Sequence, residues 1–134
     1  MLSVFPTLLA FGIFAPLLLR VAVGVFFFLL GSKTVGTHRV RGQEEVGRSF
    51  GSLGRFSVFI GGAVEVAIGL AFIAGFLTQV AALLGFIIAL KLLFFRKKWP
   101  AIAPHERATY IFVALISLSL LVLGPGIFAV DMPL

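Results

Sequence analysis

Residues 56–76 read FSVFIGGAVEVAIGLAFIAGF, and Glu65 is the single charged side chain among them. A run of this length and apolarity is long enough to cross the hydrocarbon core of a bilayer, roughly 30 Å, as one helix. A carboxylate inside such a span costs at least a few kcal/mol unless something compensates it. The acid in Gly61-Gly62-Ala63-Val64-Glu65-Val66-Ala67-Ile68-Gly69 therefore calls for a partner or a task, and the rest of the chain is read for what Glu65 faces.

Composition says what surrounds it. The 134 residues suit one domain. They are 60% hydrophobic and 12% charged, with a mean hydropathy of +1.18. Soluble domains are about half apolar and about a quarter charged, so the expected solvent is lipid. Sixteen Phe fit a lipid-facing surface. The absence of cysteine removes disulfides, CxxC redox pairs, thiolate metal sites and Cys nucleophiles together. No Lys or Arg precedes Arg20 and no small-residue cleavage pattern follows a short apolar core, so no signal peptide is expected.

The apolar runs predict transmembrane helices over about 10–30, 56–76, 80–95 and 108–123. Pro6 and Pro16 are places to start or kink the first. Residues 31–55 read as a polar loop, in which Val46, Phe50 and Leu53 have the spacing of a short interfacial helix. Residues 75–79 form a tight uncharged connection, and 96–107 form a second basic loop with Trp99-Pro100 and Pro104-His105. Gly124-Pro125-Gly126 stops the last helix. The expected fold is an all-α membrane protein, a bundle of four transmembrane helices joined by short loops.

Nine of the eleven Lys and Arg fall in the two loops on one side. The positive-inside rule makes those loops cytoplasmic and puts both termini outside. The chain is then a multi-pass protein of the cytoplasmic membrane, and its net charge of +6 sets topology and attracts anionic lipid. Nucleic acid is not an expected partner, because the loops show no aromatic-basic groove. Trp99 and Tyr110 read as interface anchors.

Four constellations remain. Glu65 lies ten residues in from Arg55, and Arg20 lies ten in from Leu30. At 1.5 Å per residue both stand about 15 Å deep, so opposite charges at matched depth predict a pair. That pair reads either as a structural pin or as a site of chemistry. Gly61 and Gly69 share the Glu65 face, Gly24 stands one turn from Arg20, and Ala81, Gly85 and Ala89 make a third small stripe for close helix approach. Lys91 reads foremost as a snorkelling cation, with a place at the mouth of a Glu65 cavity as the alternative. His38 and His105 read as solvated loop residues. No span contains a His for haem, and a metal site would have to combine both with Glu106. Asp131 in the tail has no stronger reading than a contact with a partner or a backbone donor.

The segment Leu18-Leu19-Arg20-Val21-Ala22-Val23-Gly24 followed by Gly31-Ser32-Lys33 resembles the Leu-Arg-x-x-x-Gly and Gly-x-Lys pattern of the DoxX-like four-helix membrane proteins. Glu65 to Gly69 with Gly75-Phe76-Leu77-Thr78 is similar to the family's acid-bearing helix and its turn. Residues 123–131, LGPGIFAVD, resemble the family's Gly-Pro-Gly-x-x-Ser-x-Asp terminus. Two positions depart from the pattern: Leu30 stands where many members carry a His before Gly-x-Lys, and Ala129 stands for the Ser. The resemblance implies a bacterial or archaeal cytoplasmic-membrane protein with relatives in quinone-linked sulfur oxidation and oxidative-stress complexes.

The leading expectation is a small membrane subunit associated with redox chemistry. It binds a quinone-like or lipid-like molecule near Arg20 and Glu65, with Arg20 as donor, Glu65 as proton acceptor, and Gly24, Gly61, Gly69 and Lys91 around the ligand. No metal is expected, quinone is the candidate cofactor, and electrons would come from a membrane redox partner or a bound cofactor. The alternatives are a proton-coupled transporter acting as a homo-oligomer and a non-catalytic scaffold or assembly factor. Whether the chain is an enzyme is left open.

Overall fold

The computed structural model describes residues 6–126. Asp131, Ala129 and the side of the membrane on which the two termini lie fall outside the described residues. The regular elements among the described residues are all helical: α1 (Pro6–Leu9), a 3-10 turn (Ala10–Phe14), α2 (Ala15–Val35), α3 (Arg39–Ala74), α4 (Thr78–Phe95) and α5 (Arg107–Leu123). The apolar stretches Pro6–Val35, Arg39–Ala74 and Thr78–Phe95 are each long enough to cross a bilayer. Only about a third of their most apolar windows is buried inside the protein, so most of that apolar surface faces outward, as a lipid-solvated bundle requires. At 17 residues α5 is shorter and stands at the lower limit for a span.

Two boundaries differ from the sequence expectation. The first helix runs to Val35, so Gly31–Val35 are its last turn and not the start of a loop. The segment expected as a polar loop is mostly helix, because α3 begins at Arg39. That helix is broken at Gly51, whose φ of 66° and ψ of −142° are open essentially to glycine alone. The chain folds back there. A Cβ at Gly54 would lie 2.8 Å from the Val46 carbonyl oxygen, and one at Gly42 would lie 3.1 Å from Val58 Cγ1. Residues 39–50 thus form a helical hairpin with 52–58. Val46 is buried in this seam while Phe50 and Leu53 are exposed; the Gly51 break takes Leu53 off the face that Val46 and Phe50 share, and Phe50 lies against Trp99. Gly75, with φ 69°, closes the other end of α3 in the left-handed cap expected of a Gly-terminated helix.

The helices pack as two tight pairs, α2 on α3 and α4 on α5, with lighter contact between the pairs. Lipid offers apolar side chains as good a solvent as a protein core, so close backbone approach has to hold such pairs. Glycine supplies it. A Cβ at Gly69 would fall 2.5 Å from the Phe28 backbone nitrogen, and one at Gly31 would fall 2.6 Å from the Gly62 carbonyl oxygen. Between the pairs, Phe27 and Phe72 stack with centroids 6.2 Å apart. Gly85 faces them, with Ala81 and Ala89 buried on either side of it as their spacing foretold. A second cluster of Leu30, Leu92, Ala103 and Tyr110 closes the end of the bundle that carries the basic residues.

Candidate functional site

Glu65 is 2% exposed and sits on α3. Its Oε2 has no hydrogen-bond partner among the described residues. Thr34, in the last turn of α2, stands within hydrogen-bonding reach of its carboxyl. The Thr34 hydroxyl, however, donates to Leu30 O at 2.9 Å. Lys91 on α4 is the cation whose charge reaches Glu65.

Arg20 does not meet Glu65. The glycine contacts put Gly24 beside Gly69 and Gly31 beside Gly62 and Val66, so Glu65 stands at the level of about residues 28–32. Arg20 lies about ten residues, roughly 15 Å, further along α2. It is 1% exposed there, and its Nη1 donates to Pro125 O at 2.6 Å. The expectation of matched depth fails for a simple reason. It took Leu30 as the end of α2, five residues early, and Arg55 as the membrane end of α3, although the hairpin carries that helix on to Ser52. Arg20 belongs to the end of the bundle where Gly124-Pro125-Gly126 turns, and Glu65 to the end where the basic residues gather.

A cavity of about 140 Å³ adjoins Glu65. Thr34, Ser57, Gly61 and Gly62 form its α2 and α3 walls, and Lys91, Leu92 and Phe95 its α4 wall. Val46 and Phe50 from the hairpin and Trp99 and Ile102 from the α4–α5 connection cover it. That cover is pinned. The Ala101 N–H donates to Glu45 Oε2 at 3.1 Å, Phe50 and Trp99 meet edge to face at 6.0 Å, and Lys98 Nζ lies 5.0 Å from the Trp99 ring centre. The side between α3 and α4 is open. A groove there, walled by Leu53, Phe56, Ile60, Val64, Leu84 and Ile88, shares Ser57, Gly61, Glu65 and Lys91 with the cavity. Lys91 is exposed at that mouth.

Gly61 was expected to serve helix packing together with Gly69. Gly69 does, but a Cβ at Gly61 would meet nothing within 4 Å. Gly62 makes the close contact with α2, and Gly61 lines the cavity. Gly24 packs against Gly69 and Ile73, away from Glu65. Ser57 and Thr34 were not singled out from the sequence. Ser57, Gly61 and Glu65 recur every four residues, which was a readable signal for one lining face. Thr34 had no such signal, because its segment read as a loop.

The chain matches the DoxX family over residues 15–98. This chain belongs to the DoxX family. The match covers more than half of the chain, and takes in α2, α3 and α4 with Arg20, Glu65 and Lys91. No curated protein and no solved structure matches it. What this DoxX protein does must therefore be argued from its own site.

His105 departs from a solvated loop residue. Its ring packs 5.2 Å from Phe26 and 6.1 Å from Tyr110, its backbone N–H donates to the Tyr110 hydroxyl at 3.2 Å, and its Nδ1 is buried without a partner among the described residues. Burial holds the imidazole below its ordinary 6.5, and the Lys33 charge adds to the shift. The unfolded chain therefore binds the proton first as pH falls. The stabilisation is complete above about pH 6.5 and is lost progressively as pH falls through that value toward the lower folded one. The melting temperature of the DoxX protein in detergent should drop between about pH 7 and about pH 5, and His105→Gln should flatten that drop. An equal drop in both proteins would remove His105 as its source.

Proposed function

We propose that this protein is a bilayer-embedded binding subunit for an amphiphile with a single-ring, quinone-type headgroup. One observation carries the reading: a buried carboxylate oxygen without a partner among the described residues lines both a cavity between the helix pairs and the groove that opens from it. The volume discriminates between ligands. An apolar cavity of about 150 Å³ takes one benzene ring, so a space of this size suits one ring and not a fused polycyclic head. Phe50, Phe95 and Trp99 provide aromatic walls, which suit a flat ring. The groove between α3 and α4 gives an isoprenoid or alkyl tail a path into the bilayer. Glu65 is the proton-accepting group at the head and Lys91 the cation at the mouth. Arg20, at the far end of the bundle, holds the chain after α5 and takes no part. The described residues carry no redox centre of their own, so electrons would come from a membrane partner. With α5 as a fourth span and the basic end cytoplasmic, the site lies near the cytoplasmic face of the cytoplasmic membrane.

The test is direct binding in nanodiscs. Decylhydroquinone and decylbenzoquinone are titrated against protein-loaded and empty discs, bound ligand is quantified by chromatography, and emission from Trp99, the only Trp of the chain, reports on the site. Saturable binding near one per protein is expected. Glu65→Gln should weaken it by about ten- to a hundredfold, the worth of a hydrogen bond to a charged group. Uptake no greater than by empty discs would end the proposal.

A further inference from the structure

The hydrogen-bonding polarity of the cavity is one-sided. Thr34 and Ser57 would ordinarily offer either a donor or an acceptor. Here both hydrogens are spent on helix carbonyls, from Thr34 to Leu30 O at 2.9 Å and from Ser57 to Gly54 O at 2.7 Å. What their oxygens turn toward the cavity is lone pairs. Glu65 Oε2 is a third acceptor, buried and without a partner among the described residues. If Glu65 carries a proton, the Thr34 oxygen is at hand to receive it, and the carboxyl still presents an acceptor. The donors among the lining side chains are Lys91, which is exposed, and the Trp99 indole on the covering loop.

From this arrangement we infer that the site selects a hydroxyl-bearing ring, the phenol or hydroquinone form, over the same ring carrying carbonyls or ethers. A hydroquinone brings the donors that the buried Thr34 and Glu65 oxygens, and the exposed Ser57 oxygen at the groove, lack. A quinone brings only acceptors and would leave them unpaired, and a site built to hydrogen-bond a ligand O–H discriminates strongly against an analogue without one. The inference rests on the ring-binding reading above and narrows it to the reduced member of the redox pair.

The experiment compares three probes with the same tail in nanodiscs: decylhydroquinone kept reduced, decylbenzoquinone, and the dimethyl ether of decylhydroquinone. Their affinities are measured by competition against decylhydroquinone. The hydroquinone should bind at least about tenfold more tightly than either of the others. Glu65→Gln, whose amide offers a donor as well as an acceptor, should narrow that ratio. Ser57→Ala should narrow it less, and it keeps the cavity shape. Equal affinity for all three probes, or tighter binding of the quinone, would overturn the inference while leaving the ring-binding site standing. Binding of none of them would overturn both.

Discussion

Gly61→Phe should abolish ring binding while leaving the bundle intact. A Cβ at Gly61 meets nothing within 4 Å, so the new side chain has room to start without pushing on a neighbour. Gly61 also lines both the cavity of about 140 Å³ and the groove that leads to it. One benzyl group would occupy a space that holds one ring. The ligand would be displaced by volume, with the Glu65 carboxylate still present. Decylhydroquinone uptake by protein-loaded nanodiscs should fall to that of empty discs. Helix content should stay constant, and the melting temperature should shift by no more than a few degrees, as expected where no buried contact is broken. Gly61→Ala is the graded control and should retain binding. Full affinity in Gly61→Phe would place the ligand elsewhere.

Gly69→Leu should have the opposite profile, a large loss of stability arising away from the ligand. A Cβ there would sit 2.5 Å from Phe28 N and 2.7 Å from Gly24 O. Those atoms are helix backbone and cannot swing aside as a side chain would. The substitution must force α2 and α3 apart, and overpacking costs about 1–3 kcal/mol even where side chains can yield. The cost falls on the seam that close backbone approach holds together in lipid. Yield of monodisperse protein and thermal stability in detergent should collapse for Gly69→Leu and decline clearly for Gly69→Ala. A stable Gly69→Leu would mean that the pair is held by something other than glycine contact. Gly61 and Gly69 lie on one stripe of one helix, so the two results together separate a lining glycine from a packing glycine.

That separation marks the limit of what the residues alone could reveal. The apolar half of α3 and the positions of α4 and α5 were legible, because apolar runs bounded by Gly75, by the basic loop and by Gly124 have few other solutions in lipid. The small stripe Ala81, Gly85 and Ala89 was legible too, since a helical period of four leaves little freedom. Helix registry was not. Gly61 and Gly62 are equivalent in sequence, and only the rotation of α3 against α2 presses Gly62 into the seam and leaves open space at Gly61. The five extra residues at the end of α2 carried Arg20 away from Glu65, because a count along two helices places two charges together only if both ends are known. The hairpin at Gly51 was hidden for a related reason. Glycine permits the reversal but does not require it, and it is the docking of Glu45 on the Ala101 N–H and of Phe50 on Trp99 that holds the segment over the cavity.

The sequence by itself determined that this chain is helical, that it belongs in a bilayer, and that an acid at position 65 stands out within an apolar span. Those properties follow from composition and period, which any fold of these residues would inherit. Only the tertiary structure decided what Glu65 faces: two hydroxyls whose hydrogens are already spent, an exposed lysine, and a gap of one ring's size between helix pairs. Hydrogen-bond direction and empty volume arise from the relative placement of helices far apart in sequence, and no local pattern records them.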